Sequence, residues 1–126
     1  MSAYYQDLIA WQKAIALAEC AYQLTEVFPS REMYGLARQL RRAAVSVPAN
    51  IAEGHGRISR GEWQQFLGIA RGSLLEMETE LILAARFQYI DQSQLALALN
   101  RSAEVGRLIN GLLRASAQRA PRKPFE

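Results

Sequence analysis

The residue types best able to do chemistry in this chain crowd between Gln39 and Glu80. Glu53, Glu76 and Glu80 supply carboxylates, and Ser46 and Asn50 lie among them in sequence. Paired carboxylates serve general acid–base catalysis only with the right geometry and shifted pKa values, so their presence alone is a weak signal. Their spacing says more. Gln39, Arg42, Ser46, Asn50 and Glu53 follow one another at helical intervals, and Ser73, Glu76 and Glu80 do the same further on. Two polar stripes of this kind read as a network that fixes helix register. Arg42, and with it Arg41, is then expected to pair with Glu53, Glu76 or Glu80, within the bundle or across subunits. The one histidine, His55, sits between Gly54 and Gly56, so the Glu-x-x-His pairs of a di-metal bundle are missing. Gly54-His55-Gly56 also lacks the preceding strand and following lysine of a phosphate loop. Cys20 is the sole cysteine, which excludes an intrachain disulfide and a cysteine zinc cluster. No nucleophile–base set stands out, and the reading is a non-enzyme with no cofactor and no metal.

The arginines are the stronger functional signal. Only Lys13 and Lys123 among the 15 basic residues are lysine, and net charge is +3 with a pI near 9.4. Guanidinium forks suit phosphates and carboxylates alike. Arg38, Arg41, Arg57, Arg60 and Arg71 are the nucleic-acid-binding candidates, with Arg38, Arg57 and Arg60 favoured because they lie near a helix end or loop. The basic tail, Arg119, Arg122 and Lys123, either adds RNA attraction or is a solvated end.

These residues need helices to position them. Good helix formers dominate, no strand alternation of useful length occurs, and two of the four prolines lie in the tail. The class is all-α: an up-down-up-down antiparallel four-helix bundle over residues 1–116, with a loose basic tail at 117–126. Periodicity puts the helices at about 5–27, 31–53, 60–89 and 92–116. Phe28-Pro29 ends the first, and Ser30 is the expected N-cap of the second. Met33, Leu36, Leu40, Ala43, Ala44, Val47 and Ile51 form the second helix's core side. Pro48 interrupts it, either kinking a continuous helix or ending it at Val47; the in-phase core stripe favours a kink near Pro48. Ser59–Glu62 and Asp91–Gln94 are capping boxes. Trp11 and Trp63 fall on core stripes. Val45, Ala49 and Ala52 make a third side of helix 2 too apolar for a solvated face. Gly68 and Gly72, one turn apart, suggest close approach by a neighbour; together these five are the expected oligomer contacts.

Length suits one domain, and an apolar fraction of 50% excludes global disorder. MSAYYQDL carries no signal-peptide pattern, and no apolar run nears the ~20 residues of a membrane span. No membrane role and a cytoplasmic location are the expectations.

The run Tyr34-Gly35-Leu36, Gln39 and Arg41-Arg42-Ala43-Ala44-Val45-Ser46-Val47-Pro48-Ala49-Asn50-Ile51-Ala52-Glu53-Gly54 resembles the signature of the bacterial four-helix-bundle proteins encoded in 23S rRNA intervening sequences. Trp11-Gln12-Lys13-Ala14, Phe28-Pro29, Phe66-Leu67, Ala70, Gly72-Ser73-Leu74, Glu76 and Glu78-Thr79 also fit, so the resemblance covers about residues 8–89. It implies a homopentameric bundle without enzyme activity. It also implies kinship with the accessory variability protein of diversity-generating retroelements, a pentameric bundle that works with a reverse transcriptase and RNA through a basic surface. The rRNA label describes gene location more than a molecular role. The expected function is therefore a homo-oligomeric RNA-binding scaffold. The alternative is an adaptor for a protein such as a reverse transcriptase, without direct RNA contact.

Overall fold

The computed structural model describes residues 4–118. Four helices make the fold: α1 (Ile9–Thr25), α2 (Leu36–His55), α3 (Arg60–Arg86) and α4 (Gln92–Gln118). α1 and α3 each pack on both α2 and α4, and neither diagonal pair meets. Ser46 faces Ser73 while Gly54 faces Phe66, so α2 and α3 run antiparallel. Arg71 faces Asn110 while Glu78 faces Ser102, so α3 and α4 do too. The architecture is an all-α four-helix bundle.

The core follows the helical periodicity. Leu17, Leu40, Val47, Ile51, Leu67, Met77, Leu81, Val105 and Ile109 are all at most 1% exposed. Removing such side chains from water contributes about 1.5–3 kcal/mol apiece. Trp63 is buried, and half-buried Trp11 packs its ring against Tyr5 at 5.3 Å.

Helix boundaries shift where local hydrogen bonding overrides periodicity. α1 begins at Ile9 and not near Tyr5, because Tyr5–Asp7 forms a 3-10 turn and Leu8 is extended. It stops at Thr25, whose hydroxyl donates back to the Ala21 carbonyl at 2.9 Å. α2 begins only at Leu36, after a second 3-10 turn at Ser30–Glu32. Ser30 is therefore not its cap. Glu32 takes that role, its Oε1 accepting the Leu36 N–H at 3.1 Å. Gly35 makes room for this: a Cβ there would stand 2.6 Å from Glu32 Oε1. Met33 belongs to the turn, out of phase with α2, and is exposed rather than in the core.

α2 continues unbroken through a buried Pro48, although the proline withholds one N–H from the helical ladder. α3 ends at Arg86 and not at Tyr89, because Gln88 turns left-handed (φ 65°). The Tyr89 N–H then reaches the Ala84 carbonyl and the Gln88 N–H the Ala85 carbonyl, the crossed pair of a Schellman cap. At Asp91–Gln94 each backbone N–H is held by the other side chain, at 2.9 and 2.7 Å. At Ser59–Glu62 the box is half made. Glu62 N–H donates to Ser59 Oγ, but the Glu62 carboxylate takes the Ser59 hydroxyl instead of its amide.

Candidate nucleic-acid interface

α2 presents its basic residues at two ends. Arg38, Arg41 and Arg42 lie in its first two turns, and Arg57 follows its C-terminus; the helix from Arg38 to His55, at ~1.5 Å per residue, sets the two ends about 26 Å apart. Near the first end, Arg38, Arg41 and Arg42 line one groove of about 410 Å3 with Tyr22, Met33, Val45 and Ser46. Two helices build it, since Tyr22 comes from α1.

The three guanidinium groups are not equivalent. Arg41 is half-buried, donates from Nε to Thr25 Oγ1 at 2.7 Å and lies 4.7 Å over the Tyr22 ring. A cation held on an aromatic face and hydrogen-bonded to a neighbouring helix fastens α2 to α1. Arg38 and Arg42 are exposed and form no ion pair or hydrogen bond among the described residues. Their charge is open to an incoming anion.

The remaining arginine candidates lie elsewhere. Arg57 pairs with Glu53 at 3.1 Å and lies 4.9 Å over the Phe66 ring. Half-buried Arg60 starts α3, and Arg71 donates to Asn110 Oδ1 on α4 at 3.1 Å. The tail arginines and Lys123 lie outside the described residues.

The polar stripe divides into three parts. In the middle, Asn50 Nδ2 donates to the Ser46 carbonyl at 2.8 Å and to Ser46 Oγ at 2.9 Å, and Ser46 Oγ meets Ser73 Oγ at 2.8 Å. This small network bridges α2 and α3. At one end Glu53 serves Arg57. At the other, Glu80 is 5% exposed and its Oε1 has no partner. Burial, then the charge and hydrogen bond of exposed Glu76, raise the Glu80 carboxyl to about 7. Gln39 is exposed. Arg42 reaches none of the glutamates. Among the described residues, no group of three His, Cys, Asp or Glu side chains could hold a metal ion.

The proposed assembly residues are mostly at the surface. Val45, Ala49, Gly68 and Gly72 are exposed and Ala52 is half-buried. A Cβ added at Gly68 or Gly72 would meet nothing within 4 Å, so no helix of the same chain approaches them. The close approach lies instead at buried Gly54, where a Cβ would be 2.6 Å from Phe66 Cβ. Of the outer face of α3, sequence reasoning picked out only Gly68 and Gly72 and missed Leu75, Thr79 and Ile82. Gly68, Gly72, Leu75, Thr79 and Ile82 recur at helical spacing and are all exposed, with Leu75 at 57%. The signal was there, in a second apolar period out of phase with the core. It missed Met33 as a groove residue because it placed that side chain in the core.

The model of one family, the 23S rRNA-intervening sequence protein, matches residues 6–111. The chain belongs to that family. Among solved structures, this 23S rRNA-intervening sequence family member is similar to a protein of unknown function from the S23 ribosomal protein family of Bacteroides thetaiotaomicron. Identity is 25% over 84% of this chain and 99% of that one, with a TM-score of 0.78. No match is found among curated proteins. The family match covers α1, α2 and α3 and most of α4, so it includes the groove-bearing α2. No helix among the described residues is long and apolar enough to cross a membrane.

Proposed function

We propose that the protein is a non-enzymatic scaffold that assembles with copies of itself and binds RNA through the Arg38–Arg41–Arg42 groove. The observation that carries this reading is the unpaired charge of Arg38 and Arg42 beside Tyr22, Met33 and Val45. Guanidinium groups for phosphates beside an aromatic and apolar wall for bases suit a single strand. Arg41 sets the wall by holding Tyr22 in place. The outer face of α3 and the Val45–Ala49 edge of α2 supply apolar surface for other subunits. Five copies is the number the family resemblance implies.

Filter binding of single-stranded RNA across a salt series tests the first part. Affinity that falls linearly with log salt supports it, and affinity that is absent at low salt or indifferent to salt overturns it. Light scattering at several concentrations tests the second part, which a clean monomer would sink.

A protein-adaptor reading is favoured by exposed Met33, since a flexible thioether in a groove accommodates a partner's side chain. A reverse transcriptase is one such partner. Reversing Arg38 and Arg42 to glutamate separates the readings: loss of RNA binding with partner capture intact favours RNA.

A further inference from the structure

A second cavity lies at the opposite end of α2, where the α2–α3 turn meets the last turns of α4. Its volume is about 270 Å3, and its walls include His55, Ile58, Trp63 and Leu112. That size is near the lower end of ligand sites and exceeds the ~150 Å3 that holds one benzene ring. His55 and Trp63 meet edge to face at 5.9 Å, giving the cavity an aromatic wall. Trp63 is buried while Ile58 is fully exposed, so the hollow has a covered floor and an open mouth.

The charges around this cavity are already matched. Arg57 pairs with Glu53 at 3.1 Å, and Arg60 is not without a partner. Ser59 Oγ accepts the Glu62 N–H and donates to the Glu62 carboxylate, which caps the N-terminus of α3. None of these groups calls for an ion. One polar atom in the wall differs. Ser116 is 6% exposed, and its buried Oγ has no hydrogen-bond partner. A buried hydroxyl left unsatisfied costs free energy that a ligand's own donor or acceptor would recover.

These features together select the occupant. Apolar and aromatic walls favour a ring, which can offer its face or edge to Trp63. A charged ligand would lose its hydration here and find no free counter-charge. The geometry points to a binding site for a small, uncharged aromatic molecule with one hydrogen-bonding substituent, of the phenol type. Its ring lies against Trp63 and Leu112, and its hydroxyl meets Ser116 Oγ. The pocket is separate from the arginine groove, and its ligand does not depend on RNA binding there.

NMR titration of the full chain with p-cresol, toluene and benzoate tests it. p-Cresol should bind saturably, with shifts that include the Trp63 indole N–H. It should bind about 3- to 10-fold more tightly than toluene, the gain from one hydrogen bond. Benzoate should bind more weakly than p-cresol. Ser116→Ala should bring p-cresol down to the affinity of toluene and leave toluene unchanged. The melting temperature of that variant should be unchanged or higher, because the hydroxyl has no partner to lose. Absence of saturable p-cresol shifts at Trp63 overturns the proposal. So does a wild-type affinity for p-cresol no better than for toluene, or a p-cresol advantage that survives Ser116→Ala. Tighter binding of benzoate than of p-cresol overturns the uncharged class.

Discussion

Gly54 and Phe66 are in such close contact that a methyl group on Gly54 would stand 2.6 Å from Phe66 Cβ and 2.9 Å from the Trp63 ring. This contact sets how closely the C-terminal end of α2 approaches α3. Gly54→Ala should destabilise the protein by about 1–3 kcal/mol, the usual cost of overpacking, despite alanine's better helix propensity. Urea unfolding measures it.

Gly68 and Gly72 should behave in the opposite way. With open space around each, alanine should raise the stability of the isolated chain by up to about 1 kcal/mol per site. Under the assembly proposal the same substitutions should loosen the oligomer, seen as a smaller species in sedimentation at low concentration. Unchanged sedimentation would remove these glycines from the interface.

The three groove arginines should separate by assay. Arg41→Ala loses a 2.7 Å hydrogen bond and the Tyr22 stacking contact, and should cost about 1–2 kcal/mol in unfolding free energy. Arg38→Ala and Arg42→Ala should change stability by no more than about 0.5 kcal/mol. Each should instead reduce the salt slope of RNA binding by about 1. A large stability loss at Arg42 would mean that its charge has a structural partner.

Glu80 should make stability depend on pH near neutrality. Its folded pKa, about 7, lies above the ordinary value of 4.5, so the folded state keeps the proton longer. Its contribution is therefore most favourable below pH 4.5 and is lost as pH rises through 7. Glu80→Gln should remove this slope and stabilise the protein at pH 8 by about 1–2 kcal/mol, part of the penalty being screened by water around Glu76. Thermal melts at pH 5 and pH 8 compare the two proteins. A Glu80→Gln protein less stable at pH 8 would show that the charged form has a partner.

The Ser46–Ser73 contact offers a test of the bridge between α2 and α3. Ser46→Ala and Ser73→Ala should each cost about 1 kcal/mol, and the double variant less than the sum. The coupling in that cycle reports a shared hydrogen bond. Additive effects would mean that the two hydroxyls act separately.

Fold class and core were legible in the sequence because periodicity depends only on residue order. Leu40, Val47, Ile51, Leu67, Leu74, Met77 and Leu81 share phase on their helices, and all are buried. The Asp91–Gln94 cap was legible for the same reason, since its partners are three residues apart. The α2 start was not, because its cap comes from Glu32 beyond a break at Gly35, and Tyr89 from the turn after α3 donates to the same carboxylate at 2.7 Å.

The site depended on tertiary structure more heavily. Phase places Arg41 and Arg42 on different sides of α2, but it does not say which side meets a helix carrying Thr25 and Tyr22. Phase likewise shows Gly68 and Gly72 one turn apart, while the close approach falls on Gly54 because Phe66 and Trp63 come across the seam there. Sequence order by itself determined which residues share a helix side and so form the core. Which polar groups find partners was decided only by the rotation and register of the packed helices, because side chains far apart in sequence meet only once those are set.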